Sequence, residues 1–478
     1  MTNTPTIQLV VSLIVVITIS ACATAPQQYQ AISEIKVPAQ FSGYANWLPV
    51  SEQHLLSMHN QWWLVYQDKT LTQLIERVMV NNESLKASEA QYRAALATLE
   101  GSQSARYPSI SSTANASSGT VASSNSFSNN SLPTNSNYAL NVNTSWELDL
   151  WGRIRQTVES NEAKAQASLA DLYAARLSTQ VLLAQTYFQL RNTEQQIRLV
   201  NSSITAYQRF VKLTQIRQRA GVVSRLDVAQ ANAQLYTMQV QQLDLEEQYS
   251  RYQHTIATLL GVGATAFNIP VAQDEKSILP IVPQIIPSTL LLNRPDIIAS
   301  ERRVASANAQ IGVAQTAFFP TINLVGSVGY RNSNLTDLIN IPNSIWSLGP
   351  SLAFMLFDGR LRESTVAVAI AGMEQATANY KQTVLSAFQE VEDNLSSTRV
   401  LQEEALVQQQ ALDASMQAYR IAQSQYRAGI SSALNVISAQ TAELSAQRNQ
   451  TSITLRQQLA SLILLKNSGG SLPIALKD

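Results

Sequence analysis

From Tyr138 to Leu150 apolar and polar side chains alternate. Tyr138, Leu140, Val142, Trp146, Leu148 and Leu150 fall on one side, with Thr144 the polar exception. Asn141, Asn143, Ser145, Glu147 and Asp149 fall on the other. A period of two predicts a β-strand, here longer than most soluble ones. A second run sets Trp346, Leu348, Leu352, Phe354 and Leu356 against Ser347, Gly349, Ser351 and Ala353. A third sets Ile322, Leu324, Val328 and Tyr330 against Thr321, Asn323, Ser327 and Arg331. The fourth, from Ser109 to Ser118, is weak: Ile110, Ala114 and Ala116 alternate with serines and Asn115. Strands apolar on one face and polar on the other fit a transmembrane barrel with a wet lumen, in which about 9–11 tilted residues cross the bilayer. A soluble sandwich strand is the alternative. Four strands cannot close a barrel, for which about eight is the practical minimum. An open edge leaves backbone groups unpaired in lipid, so other chains must complete the barrel. The polar segments 117–137 and 332–343 then read as external loops rather than linkers.

Between the strand pairs the pattern changes to helix. Residues 153–220 contain neither Gly nor Pro, which corresponds to about 100 Å of α-helix. The stretch 360–428 is interrupted only by Gly372. Leu169, Tyr173, Leu177, Val181, Ala184 and Phe188 follow a 3–4 spacing, as do Tyr380, Val384, Phe388, Val391 and Leu395. These are packing seams of a coiled coil or extended bundle. Both long helices end at Arg-Ala-Gly. Arg219, Ala220 and Gly221 close the first, and Arg427, Ala428 and Gly429 the second. Glycine suits the left-handed conformation just past a helix end, and Ser224 and Ser432 stand where N-caps of returning helices belong.

The elements occur twice in the same order. YPSI, DLWGRIR and QRAGVVSRLDV in the first half answer FPTI, LFDGRLR and YRAGISSALNV in the second. Gly152 with Gly359 and Gly221 with Gly429 keep nearly the same offset, so the intervening helices match in length. A repeat this long marks a duplicated half-domain, not a solenoid. The expected organisation is a signal peptide over 1–21, an N-terminal lipid-anchored and equatorial segment over 22–69, and a first repeat over 70–268. The first repeat holds a helix (about 70–105), strands about 107–118 and 138–150, a long helix 153–220 and a returning helix 224–261. A proline-rich linker spans 269–293. The second repeat, 294–468, holds a helix, strands about 319–331 and 344–357, a long helix 360–428 and a returning helix 432–466, before a tail over 469–478.

Composition adds exclusions. The 478 residues carry equal numbers of basic and acidic side chains, 33 of each, so charge points to no nucleic-acid partner. His54, His59 and His254 are the only histidines and are scattered. No metal-ligand cluster, phosphate-binding loop or nucleophile elbow is present, so the chain reads as no enzyme, without metal or cofactor. The apolar run Leu9–Ile19 is too short to span a bilayer and precedes Ser20, Ala21 and Cys22, the only cysteine. This fits an export signal, although no Lys or Arg precedes the run. Ile19–Cys22 resembles the bacterial lipobox, which implies cleavage before Cys22 and a covalent diacylglycerol and acyl lipid on it. An ordinary signal peptide with an incidental cysteine is the alternative. Ala23 in place of Asp is permissive for the outer membrane.

The segment Pro287–Ile297, PSTLLLNRPDI, is close to the "PSxLLxRRPDI" signature of one protein family, with Asn293 replacing the first Arg. Trp62, Trp63, Asp68, Leu71, Leu74 and Ile75 fit its N-terminal "W…D…L..LI" pattern, and Phe319-Pro320 and Asp358-Gly359-Arg360 fit as well. In these motifs, and in their order, essentially the whole mature chain resembles the TolC-like outer-membrane efflux proteins, specifically their lipoprotein NodT or OprM-like branch. The resemblance implies an all-α coiled-coil helical barrel joined to a transmembrane β-barrel, a homotrimer of internally duplicated protomers. It implies a passive conduit in the bacterial outer membrane, lipid-anchored, with a long periplasmic extension. The partners implied are a periplasmic adaptor and an inner-membrane pump of the resistance-nodulation-division type, which together export drugs and other small molecules. A type I protein secretion channel is the alternative within the family, and a periplasmic coiled-coil adaptor the alternative outside it.

The resemblance also places a gate at the helical tips. Tyr426 and Asp227 match the family's tyrosine and first-repeat aspartate. The arginine partner falls near Ser431, and the luminal aspartate positions fall at Asn435 and Ser438, all neutral here. A less anionic, less cation-selective constriction is therefore expected. Arg225 and Asp227 either supply a substitute link or are solvated tip charges. Arg219, Gly221, Ser224, Arg427, Gly429 and Ser432 are the candidates for docking an adaptor, and Gly152 and Gly359 mark the strand-to-helix turns.

Overall fold

In the computed structural model residues 61–120, 134–272 and 294–467 are described. Cys22, the signal segment, most of the proline-rich linker and the tail lie outside them. Helices α1 (Lys69–Asn81) and α2 (Glu83–Ser104) lead into strands β1 (Ser109–Thr120) and β2 (Thr134–Glu147), then α3 (Arg153–Arg219) and α4 (Arg225–Leu259). The second half runs α5 (Pro295–Thr316), β3 (Thr321–Asn332), β4 (Ser344–Ala353), α6 (Leu361–Arg427) and α7 (Ala433–Asn467). α3 and α6 are each 67 residues, and α4 and α7 each 35. Gly372 does not break α6.

Several local features differ from the sequence reading. β2 spans Thr134–Glu147 rather than 138–150, so 134–137 belong to the strand and not to the loop, and Leu148 and Leu150 lie beyond it. The single helix expected near 70–105 breaks at Asn82, whose backbone turns extended. Its side chain accepts from Leu85 N at 3.0 Å and donates to Leu259 O at 2.8 Å. β4 ends at Ala353 rather than 357, leaving Phe354, Met355 and Leu356 exposed past the ladder. In the α3 seam, Leu172 is buried and Tyr173 is exposed, because the burying face drifts off strict 3–4 spacing.

The chain divides into two compact units that cut across the sequence repeats. The first contains 92–168 and 299–380, hence the whole sheet. Its strands are antiparallel in the order β1-β2-β3-β4, so the two copies meet at β2–β3. The register aligns the alternation of all four strands. Val142 stands opposite Val328, and Val328 opposite Trp346. On the other face Asn143 stands opposite Ser111 and Ser327, and Ser327 opposite Ser347. The polar face carries side-chain bonds of its own, Asn143 to Thr113 at 3.2 Å and Ser327 to Ser347 at 2.9 Å. Trp346, Leu348, Val328 and Val142 are exposed on the apolar face. At the foot of the sheet Trp151 stacks on Phe319 at 4.9 Å and donates to Pro320 O at 2.7 Å. Gly152 (φ 83°) and Gly359 (φ 60°) take the left-handed turns into α3 and α6. Asp149 then caps α3 through Ile154 N and Arg155 N, both at 2.9 Å. Below this, α3 meets α5 along small residues. Ser160 bonds Ser306 at 2.9 Å, and Gly312 lies where a Cβ would meet the Gln156 amide at 2.8 Å.

The second unit contains the rest of the described helices. Its core gathers Trp62, Trp63, Tyr66, Leu71, Ile75, Leu183, Tyr187, Ile256, Leu260 and Leu462. Asp68 organises it, capping α1 through Leu71 N at 2.9 Å and accepting from the Tyr187 hydroxyl at 2.6 Å. Arg191 bonds that same hydroxyl at 3.0 Å, pairs with Glu194 at 2.9 Å and holds Pro270 O at 2.9 Å. Arg294, from the matched signature, is buried and bridges Asp296 at 2.7 Å, Glu390 at 3.1 Å and Asn467 at 3.2 Å. Burial opposes ionisation of Asp296, but the Arg294 guanidinium outweighs it and holds the carboxyl below its ordinary range.

Gly261 ends α4 at φ +67°, with the Asn81 carbonyl 2.5 Å from where a Cβ would stand. Gly261→Ala places that atom against backbone and forces a left-handed L-residue, a penalty of about 1–2 kcal/mol before the clash. The heat-induced midpoint of helical circular dichroism in detergent should fall measurably. An unchanged midpoint would show that this turn relaxes freely.

Candidate functional site

The two hairpin tips are built alike by local chemistry. Past α3, Gly221 N donates to Gln218 O at 3.0 Å and Val222 N to Arg217 O at 2.9 Å. Past α6, Gly429 N donates to Tyr426 O at 3.1 Å and Ile430 N to Gln425 O at 2.9 Å. Both are Schellman closures with glycine in the left-handed position, at φ 73° and 77°. Each closure puts an apolar residue outside, and the next helix adds another one turn on. Val222 is 68% and Ile430 79% exposed, and Leu226 and Leu434 occupy equivalent exposed places.

The polar chemistry of the tips differs. Ser224 accepts from Asp227 N at 3.2 Å, and the Asp227 carboxylate accepts from Ser224 N at 2.9 Å and Ser224 Oγ at 2.7 Å. This reciprocal capping box satisfies the first turn of α4. The cap engages one oxygen of the Asp227 carboxylate, Arg225 is exposed, and the two are not joined to each other. At the matching place in the second tip, Asn435 donates instead to Ser431 Oγ at 3.0 Å. Ser432, just before α7, and Ser438, on it, are exposed, and Arg219 and Arg427 are exposed at the helix ends.

Tyr426 and Asp227 are not brought together. Tyr426 is 2% exposed and sits with Ala433 and Val436 in a small core. Its ring lies 5.2 Å from Phe210, and its hydroxyl meets Thr214 Oγ1 at 3.3 Å. The group that ties the tips together is Arg217, which the sequence reading missed. Its guanidinium lies 4.5 Å from the Tyr426 ring and donates to Tyr426 O at 2.8 Å and Arg427 O at 3.1 Å. An arginine from the first copy thus caps carbonyls in the last turn of the second copy's long helix. A basic residue in the last turn is visible in the sequence, but which helix end it caps is decided by tertiary packing.

Further from the tips, Tyr207, Val211, Leu235, Met238, Ile437 and Leu444 bury a seam shared by α3, α4 and α7. None of the described helices is long and apolar enough to cross a membrane. Among the described residues no group of acidic, histidine or cysteine side chains is arranged to hold a metal.

Two segments of the chain, 74–262 and 286–470, match the model of the outer membrane efflux protein family. The antibiotic efflux pump outer membrane protein ArpC of Pseudomonas putida is 30% identical over 471 residues, covering 95% of this chain and 93% of that protein. The outer-membrane channel OprN superposes with a TM-score of 0.84 at 28% identity, covering 94% of this chain and 99% of that one. VceC of Vibrio cholerae, an outer membrane protein, superposes with a TM-score of 0.78 at 26% identity, covering 86% and 98%.

Arg217→Ala removes two charge-assisted bonds and a ring contact at a half-exposed site. A loss of about 1–2 kcal/mol in local stability should speed hydrogen exchange of the 425–430 amides by roughly 5–30-fold. Arg217→Lys should restore less than half of this, since an ammonium lacks the planar fork. Unchanged exchange in the alanine variant would remove Arg217 from this role.

Proposed function

The chain belongs to the outer membrane efflux protein family, and on that premise we propose that it is the outer-membrane conduit of a tripartite efflux system, working as a homotrimer. The sheet carries this reading. It has one exposed apolar face, one polar face and two edges, β1 and β4, with no strand beyond them among the described residues. In lipid such edges must be paired. Three copies, each joining its β4 edge to the next copy's β1, make a closed barrel of about twelve strands with the polar face inward. A conduit of this kind is passive, and the energy comes from an inner-membrane pump of the resistance-nodulation-division type.

The tips are the proposed contact with a periplasmic adaptor. Val222, Leu226, Ile430 and Leu434 give two equivalent apolar knobs on rigid glycine closures, flanked by Arg219, Gly221, Ser224, Arg427, Gly429 and Ser432. They also form the proposed gate, in which the neutral Asn435 and Ser438 leave Asp227 as the one acidic side chain of the tips. Cys22 is the proposed lipid anchor. Cys22→Ser should abolish incorporation of labelled palmitate, and persistent labelling would refute the assignment. Small-molecule export is favoured over a type I protein secretion role by the relatives' names, which speak of antibiotic, toluene and solvent efflux and of pyoverdine export.

Deleting the gene should sensitise its host to members of a panel of antibiotics, dyes and bile salts. Expressing Val222→Asp together with Ile430→Asp should leave heat-resistant trimers in the outer membrane yet fail to restore resistance. Full restoration by that variant would exclude the apolar knobs from adaptor docking. A soluble monomer in the fractionation would sink the channel reading.

A further inference from the structure

The hairpin tips hold an excess of positive charge that no ion pair among the described residues neutralises. From Leu213 to Leu243 and from Ala414 to Ala442 the charged residues are Arg217, Arg219, Arg225, Asp227, Arg420 and Arg427. The one carboxylate, Asp227, is engaged by Ser224 through its backbone and hydroxyl. Arg217 donates to carbonyl oxygens and lies over a tyrosine ring, and neither contact removes its charge. Arg219, Arg225 and Arg427 are exposed, and none of them is in an ion pair among the described residues. Arg420, further up α6, is near enough to Glu443 to favour that group's ionisation, against the burial that raises its pKa.

The charges are also gathered in one place. The Arg217 guanidinium reaches the Arg427 carbonyl at 3.1 Å, so the ends of both hairpins are immediate neighbours. Of the next acids along the helices, Glu443 lies about 15 Å past the start of α7 and is offset by Arg420, and Asp244 and Asp413 are about 20–25 Å away by helical rise. That is more than two screening lengths at physiological salt, about 8 Å each. Four guanidinium groups therefore act against one carboxylate at this pole of each protomer.

We infer that the tips form a cationic collar that makes the conduit prefer anionic solutes. The inference rests on the channel reading above, because three copies would ring a single mouth with these hairpins. Charge of one sign around a narrow, low-dielectric entrance raises the local concentration of the opposite sign and repels the same sign. Asn435 and Ser438, both uncharged and exposed, offer nothing to oppose it. The class of cargo favoured is the small organic anion, with carboxylate or sulfonate groups, over the organic cation. The collar filters by charge, while Arg217 sets its geometry.

The test is the reversal potential of the purified full-length trimer in a planar bilayer under a potassium chloride gradient. Chloride should be preferred over potassium, and the preference should fade toward molar salt as screening shortens to about 3 Å. Arg219→Gln, Arg225→Gln and Arg427→Gln combined should lower the chloride-to-potassium permeability ratio by roughly threefold or more. The corresponding triple lysine variant keeps the charge and should keep the ratio, which separates the field from any change in tip structure. Potassium selectivity in the wild type, or a ratio unmoved by the glutamines, overturns the inference. So does a glutamine variant with unchanged selectivity but lost cross-linking to an adaptor, which would assign the collar to protein docking. Absence of any conductance would instead count against the channel reading.

Discussion

The unpaired edges of the four-stranded sheet are the constraint on which the rest of this protein depends. Every backbone N–H and C=O in hydrocarbon needs a partner, and β1 and β4 each offer a row without one among the described residues. The register makes the demand sharper by placing most of the apolar side chains of the four strands on one face. A soluble sheet would cover that face with its own helices. Here Trp346, Leu348 and Val328 are exposed, and none of the described helices covers them. The proposed closure by further copies would answer both problems, the edges by hydrogen bonds and the apolar face by lipid.

Duplication makes the same economy possible in the helices. Each half contributes a long helix, a glycine closure and a returning helix of matched length. The copies are not independent, however. The sheet joins them at β2–β3, and the tips join them through Arg217, Phe210 and Tyr426. Identical backbone closures with different polar groups are the outcome one expects when backbone geometry is set by glycine and side-chain chemistry is free to diverge. One tip spends its serine and aspartate on a capping box, and the other pairs an asparagine with a serine.

Much of the fold was legible along the chain, because helices and strands are local objects. Alternation located four strands, and the absence of Gly and Pro over 153–220 located a helix now seen over Arg153–Arg219. Arg-Ala-Gly located both tips because only glycine relaxes in the left-handed turn. Legibility failed where a partner was distant in sequence. The break at Asn82 depends on the Leu259 carbonyl, and the burial of Leu172 rather than Tyr173 depends on which helices lie alongside. The tip tyrosine was found, but its real partners, Thr214 and Arg217, lie in the other copy of the repeat.

By itself, then, the sequence determined the inventory: which segments are strand or helix, where they turn, that the unit is doubled, and that the strands carry one apolar face. Those properties follow from interactions among residues a few positions apart. Tertiary structure alone decided the pairing: that β2 lies against β3, that Arg294 bridges Asp296, Glu390 and Asn467, and that Asp227 is occupied by a cap while the arginines around it keep their charge. A charge is neutralised or left free by what stands within a few ångströms of it, and spacing along the chain does not carry that distance.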